Sequence, residues 1–527
     1  MSILTYIFGL PLLAALALIF VPRERGVIIR TIAVLATLVS ALLAVKMFAQ
    51  FVPGTDGYQF EQQVPWVTSL GISYHVGVDG LNVGLILMGA IVAFAAVCCA
   101  WEIKTREKEF YILLLTMAGG ILGAFASLDL FFFYFLHELA LVPTFIMIGV
   151  WGHGERKNYA TFQISLYLNL GALITLIGLI ALYLQSGANT FDLPKIIEHA
   201  QVNPFSVNAQ HFIFPLLLFG FGILVSLWPF HSWAPLGYAS APTPTAMLHA
   251  GVLKKFGLYG LIRIALPLLP QAAQSWMSVL AVLCLGNILY VGWVAMRQKD
   301  LNLLIGNSSV AHMGFIFLGI ASLNLIGVTG AVVIMVAHGF LVALSFALNG
   351  YIYQQTGTLK ISALGGLCRQ LPFIGTALLL AAMAGCGLPG FANFVGEATV
   401  FFGAWQVFPW VTVLALWGAL LIGGIYMTRA IRGVLHGPLP EQWKNLSDAG
   451  HLWRKLPYAL LLAGLLLFGF VPKLLTDKIY PDADKIVKLA TAAPVGETLL
   501  PAGPADGASV PAPAADALPQ TKLENRN

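Results

Sequence analysis

Residues 224–235 read LVSLWPFHSWAP, apolar enough for a membrane interior yet carrying two prolines and a histidine in the second half. Proline lacks a backbone donor and clashes with the preceding turn, so a spanning helix that meets this run is interrupted. Backbone groups freed at membrane depth are tolerated only where protein buries them or a wet cavity solvates them. The stretch therefore predicts a discontinuous helix in a polytopic, transporter-like protein. The rest of the chain agrees: of 527 residues, 58% are hydrophobic and 10% charged, against roughly 25% charged in an average soluble domain.

Working outward, fourteen apolar runs are each long enough to cross a ~30 Å hydrocarbon core as a helix. They cover 2–22, 27–52, 78–101, 110–127, 129–151, 159–184, 210–234, 243–267, 273–296, 302–323, 327–353, 372–404, 408–432 and 456–475. The first is expected to stay as a helix, because its end, FVPRERG, has no small-residue cleavage pattern. Lys and Arg gather in the loops after odd-numbered spans, such as Arg23, Arg25, Lys104, Arg156 and Arg297. On the opposite side, before the tail, stand only Lys46 and Lys195. By the positive-inside rule both termini lie on the non-cytoplasmic side. The same dispersal explains the formal charge of +5 without a nucleic-acid partner. Cys98, Cys99, Cys284, Cys368 and Cys386 form no CxxC pair and read as packing, with no metal site.

A second interruption, CGLPGFANFVGE (386–397), falls in the twelfth span, which is too long for one straight crossing. The two breaks are five helices apart. An odd helix number inverts the second unit, the architecture of many ion transporters. The expected division is an N-terminal three-helix segment (1–109), a first inverted repeat (110–267), a second (268–432), a C-terminal helix region (433–492) and a disordered Pro/Ala-rich tail (493–527).

Ionisable groups inside the spans are costly and mark ion routes. Lys254, Lys255 and Arg263 fall in the eighth span, Glu138 in the fifth and Glu397 in the twelfth. Glu138 lies nine residues beyond Asp129, about 13.5 Å along a helix. His137 and Glu138 superficially suggest a zinc helix, but HELAL lacks the second histidine of HExxH. Five histidines, His137, His231, His249, His312 and His338, sit in or at the ends of spans. With an ordinary pKa near ~6.5, histidine holds or releases a proton near neutrality, so the set reads as proton-exchange stations.

The motifs ISYHVGVDGLN (72–82), FYFLHELALVPTFIMIGVWG (133–152), PFHSWAPLGYASAPT (229–243), HAGVLKKFGLYGLIR (249–263), RQKDLNLLIGNSSVAHMGF (297–315), MVAHGF (335–340) and GLPGFANFVGE (387–397) resemble the antiporter-like membrane subunits, of the subunit M type, of proton-pumping NADH:quinone oxidoreductase, respiratory complex I. The resemblance runs from about residue 70 to 430. It implies fourteen helices, inverted repeats, and one proton route along a central polar axis. It also implies that NADH, FMN, iron–sulfur clusters and quinone are bound by other subunits, with no cofactor in this chain. Neighbouring antiporter-like subunits and membrane lipid are the implied partners, in a bacterial inner membrane. Matched by position, Glu138 tunes a neighbouring lysine, Lys255 links two half-channels, His312 and His338 lie between, and Glu397 ends the route.

The chain departs from the family twice. Leu224 stands where a lysine is usual, seven residues before His231, and Gln163 stands where a sixth-helix lysine is common. His249 and the second lysine, Lys254, are additions that compensate if Glu138 couples through His231 or His249. Two alternatives share these features: a subunit of a multi-subunit Na⁺/H⁺ antiporter or membrane-bound hydrogenase, and a non-pumping spacer of the complex.

Overall fold

The computed structural model describes residues 2–492, so the tail expected to be disordered lies outside the described residues. Two helices, α1 (Ile3–Phe20) and α2 (Gly26–Gln50), precede an antiparallel hairpin of β1 (Gln59–Val67) and β2 (Ile72–Val78). There follow α3 (Val83–Cys99), α4 (Glu107–Ala126), α5 (Leu130–Trp151), α6 (Lys157–Ser186), the short α7 (Leu193–Val202), α8 (Val207–Val225) and α9 (Trp233–Ser240). Helix α10 covers 243–268 and α11 Pro270–Arg297; α12 (Leu301–Ala321) and α13 (Leu325–Thr356) come next. The chain continues through α14 (Pro372–Gly385), α15 (Ala392–Trp405), α16 (Pro409–Leu435), α17 (Leu452–Phe470) and α18 (Lys473–Thr491).

Among the described residues, twelve helices are long and apolar enough to cross a membrane. The remaining two expected runs are built differently. Helix α10 is broken up by π turns at His249–Leu253 and Leu261–Ala265, and α14 with α15 divides one run at 386–391. The two predicted discontinuities are present, between α8 and α9 at 226–232 and between α14 and α15 at 386–391, whereas the π turns of α10 were not foreseen. The short amphipathic helices α7 and α18 and the hairpin were not visible as spans.

Helix starts follow local chemistry. Asp129, Asp192, Ser206, Asp300 and Asn324 each accept a backbone N–H from the first turn they cap. Packing then sorts the helices. α13 is buried along its whole apolar length and α12 nearly so, which places them at the centre. α1 buries one stripe, Leu4, Ile7, Phe8, Pro11, Ala14, Ala15 and Leu18. α6 leaves Phe162, Leu166, Leu173, Ile177 and Leu184 exposed. Such one-sided apolar helices belong at a lipid or partner boundary.

The hairpin, α7 and α18 lie at one end of the bundle, the hairpin side. There His75 of β2 binds Asp192, the cap of α7, at 2.7 Å through Nδ1 and Glu61 at 2.7 Å through Nε2. Burial pulls this imidazole down, but the hydrogen bonds and charges of Asp192, then Glu61, raise it above the ordinary value. A raised histidine stabilises fully below its unfolded pKa of ~6.5 and loses that contribution as pH climbs through the folded value. Amide exchange in β2 and the first turn of α7 is accordingly expected to accelerate above neutrality beyond its intrinsic pH dependence. His75→Gln should remove the excess, and identical profiles would exclude the clamp.

Candidate functional site

The first break opens at Ser226, whose φ of 70° ends α8, and closes at Trp233. Pro229 lies in the gap, whereas Pro235 is the third residue of α9, a first-turn position that proline tolerates. The break is thus the work of 226–232 alone. Its freed backbone is met by Asn287, which sits in a π turn of α11. The amide donates to the carbonyls of Ser226 at 2.9 Å and Val310 at 3.1 Å, and accepts the N–H of Trp228 at 2.8 Å. Trp233 Nε1 donates to the Ile223 carbonyl at 3.1 Å. Within the gap His231 faces the edge of Tyr290 with ring centroids 5.9 Å apart, and its Nδ1 has no partner among the described residues. Gln163 reaches across from α6 to Ser232 Oγ at 2.9 Å, while Leu224 is buried in α8.

Helix α10 carries the next stations. The π turn from His249 closes with the Lys254 N–H on the His249 carbonyl at 3.0 Å, and such bulges recur at functional positions. His249 is 1% exposed. It stacks on Trp233 at 5.6 Å and meets Tyr238 edge-on at 5.3 Å. Neither of its ring nitrogens, nor the Tyr238 hydroxyl, has a hydrogen-bond partner among the described residues. Buried polar atoms left this way in a native interior call for ordered water. The Lys254 ammonium lies 5.5 Å from the centre of the Tyr238 ring and 3.4 Å from Ser309 Oγ of α12.

Successive helical residues point about 100° apart, so Lys255 turns instead toward α13. Its fully buried ammonium donates to the Ala250 carbonyl at 2.6 Å and to His338 Nδ1 at 2.9 Å. The rings of His338 and His312 are 5.4 Å apart. His312 Nδ1–H donates to the Ser308 carbonyl at 2.7 Å, leaving Nε2 facing Glu397 Oε1 at 3.6 Å. Glu397 stands just beyond the second break. A Cβ on Gly387, which has φ +66°, would fall 2.5 Å from Glu397 Oε2, so only glycine leaves room for the carboxylate there. Glu397, His312, Gly385, Cys386 and Tyr426 border a cavity of about 10 Å³, room for about one water.

Of the residues singled out from the sequence, Lys255, His338, His312 and Glu397 thus form one connected row, and His249 and Lys254 gather around Tyr238 beside it on α10. Glu138 is placed apart from the row. Its side chain is 27% exposed, with His137 Nδ1 at 3.6 Å. His137 itself is buried and stacks on Phe256 at 3.8 Å. Among the described residues no hydrogen bond or ion pair joins Glu138 to His231 or His249, and its carboxylate lies on a partly exposed face of α5. Arg263 also leaves the row and pairs with Asp79. Sequence reasoning missed Asn287, Tyr238, Ser309 and Tyr426. Only Asn287 carried a signal, as an amide inside the apolar run GNILY (286–290).

A buried row of lysine, histidine and carboxylate crossing a bundle with two broken helices defines an antiporter-like membrane subunit. Residues 127–423 match the family described as NADH:quinone oxidoreductase/Mrp antiporter, TM. NADH-quinone oxidoreductase subunit M of Rhodobacter capsulatus is 34% identical over 504 residues, covering 92% of this chain and 96% of that protein. A chain of respiratory complex I from Thermus thermophilus, solved with bound NADH, superposes with a TM-score of 0.84 at 28% identity, covering 93% of this chain and 99% of that one. A chain of the Mrp complex from Dietzia shares the fold, with a TM-score of 0.79 at 20% identity over 93% of this chain and 99% of that one. The chain belongs to this family, as a multi-pass, antiporter-like membrane-arm subunit of complex I.

Proposed function

We propose that this chain conducts protons through the buried row, in a bacterial inner membrane, driven by redox chemistry in partner subunits. The observation that carries the reading is the join from Lys255 through His338 and His312 to Glu397, with each step within hydrogen-bond or one-water reach. NADH, FMN, iron–sulfur clusters and quinone belong to those partners, and this chain acts as the translocating part without a redox centre of its own. Its exposed apolar faces meet lipid and adjacent antiporter-like subunits. The gathering of Lys and Arg in the loops of the opposite face supports a hairpin side, and with it both termini, outside the cytoplasm. The broken pairs α8/α9 and α14/α15, five crossings apart, support two inverted units at 110–267 and 268–432, flanked by 1–109 and 433–492.

In this reading water in the first break serves His231, and the unpartnered nitrogens of His249 carry protons from there to Lys254. A carboxylate near a lysine holds its proton, and withdrawing that charge releases it. Glu138, on the partly exposed face of α5, exerts this control through His137 or across a subunit boundary. A Na⁺/H⁺ antiporter subunit shares the fold but is matched at lower identity, and a spacer would have no use for six buried polar stations.

The test is proton pumping per electron by the assembled complex. His249→Ala removes one buried station worth about 1 kcal/mol, so transfer through the row is expected to slow about fivefold. NADH oxidation with an artificial electron acceptor should be unchanged, and an unaltered pumping ratio would exclude His249 from the route.

A further inference from the structure

Away from the row, a cavity of about 400 Å³ opens on the hairpin side. At ~30 Å³ per molecule that volume holds on the order of ten waters. Tyr58 from the loop before β1, Asp79 from the turn before α3, Glu198 of α7, Arg263 of α10, and Asp482 and Lys485 of α18 face into it. Arg263 is 3% exposed. It donates to Asp79 Oδ1 at 2.5 Å, to the Tyr259 hydroxyl at 3.1 Å and to the Tyr58 hydroxyl at 3.4 Å.

Asp482 is brought to this cluster by close backbone contact. A Cβ on Gly80 would fall 1.8 Å from the Lys478 carbonyl, so only a glycine lets α18 lie against the turn that carries Asp79. Gly80 N–H then donates to Asp482 Oδ2 at 2.7 Å, and Lys485 Nζ stands 3.3 Å from Oδ1. Burial, and next the Asp79 carboxylate, raise Asp482 above the ordinary aspartate value; the Gly80 N–H and Lys485 offset this only in part. On α10, Tyr259 lies four residues from Lys255 and four from Arg263, so one helix links this cluster to the central lysine.

We propose that this cavity is a second aqueous opening of the proton-conducting unit, on the hairpin side, with Asp482 as the proton-exchanging carboxyl on its wall. In the outward direction a proton leaving Lys255 passes to Asp482 and from it to cavity water, and the reverse direction returns it, while the fixed Arg263–Asp79 pair, with Lys485 and Glu198, sets the local charge. The proposal rests on Lys255 carrying protons and adds a place where they meet the outer water.

The experiment uses the whole complex in vesicles, with the pH of each face set independently. Asp482→Asn keeps an acceptor oxygen for Gly80 N–H yet binds no proton in this range. It is expected to abolish the dependence of turnover on hairpin-side pH, with Asp482→Glu retaining it. Dependence of the parental kind in Asp482→Asn overturns the proposal. Should that variant fail to assemble, Ile486→Cys, a buried position on the cavity wall, reads the opening directly. A membrane-impermeant cationic thiol reagent added on the hairpin side is expected to modify it beyond the parental cysteine background, and no added modification overturns the proposal. Lys255→Ala run in parallel separates the two failures. Lost pumping there, with parental behaviour in Asp482→Asn, removes the second opening alone, whereas normal pumping in Lys255→Ala removes the reading on which it rests.

Discussion

Lys255→Ala is expected to cut proton pumping roughly ten- to a hundredfold in the assembled complex. The ammonium makes two buried hydrogen bonds, to the Ala250 carbonyl and to His338. Hydrogen bonds to charged groups are worth about 1.5–3 kcal/mol, and each ~1.4 kcal/mol added to a barrier slows a step tenfold. Alanine also leaves a gap that only water can bridge between the first half of the row and His338. Lys255→Arg tests whether the position exchanges protons or merely supplies charge, because guanidinium is not deprotonated in proteins. It should be as defective as alanine. Pumping restored by arginine would reduce Lys255 to a fixed charge, and electron transfer to an artificial acceptor controls for assembly.

Arg263→Ala should be the most destabilising single change at the hairpin side. Its removal leaves the Asp79 side chain, 7% exposed, without its ion-pair partner. Breaking a buried pair from one side costs about 3–5 kcal/mol, whereas replacing both partners with apolar residues is often close to neutral. Arg263→Met with Asp79→Leu is therefore expected to recover much of the loss. The measurement is the temperature at which this subunit leaves the detergent-solubilised complex, taken as a double-mutant cycle. Additive effects of the two single changes would show that the pair is not coupled.

The helices were legible because each spanning run is apolar along its length, and a membrane demands that of any helix. The stations were legible for the complementary reason, that charge in such a run is expensive and rarely idle. What could not be read was direction. Lys254 and Lys255 are adjacent in sequence but address Tyr238 and His338 on different elements, and the π turn that helps aim them has no signature in composition. Glu138 keeps its side chain 27% exposed, with His137 rather than His231 or His249 at 3.6 Å. The Asp79–Arg263–Asp482 cluster joins three segments far apart in the chain, so no local pattern announces it. Strand β1, QFEQQVPWV, alternates too weakly to stand out.

Lys255, His338 and His312 each lie near the middle of their helices, so the row runs across the bundle. Displacement of charge parallel to a membrane does no work against the transmembrane voltage, which costs ~2.3 kcal/mol per elementary charge per 100 mV only for movement along the normal. Exchange between these side chains is for that reason nearly blind to an imposed potential. In the proposed route the electrical load falls on the legs that join this row to the two faces, and a voltage applied to the complex is expected to slow or speed those legs while leaving the central hand-over unchanged.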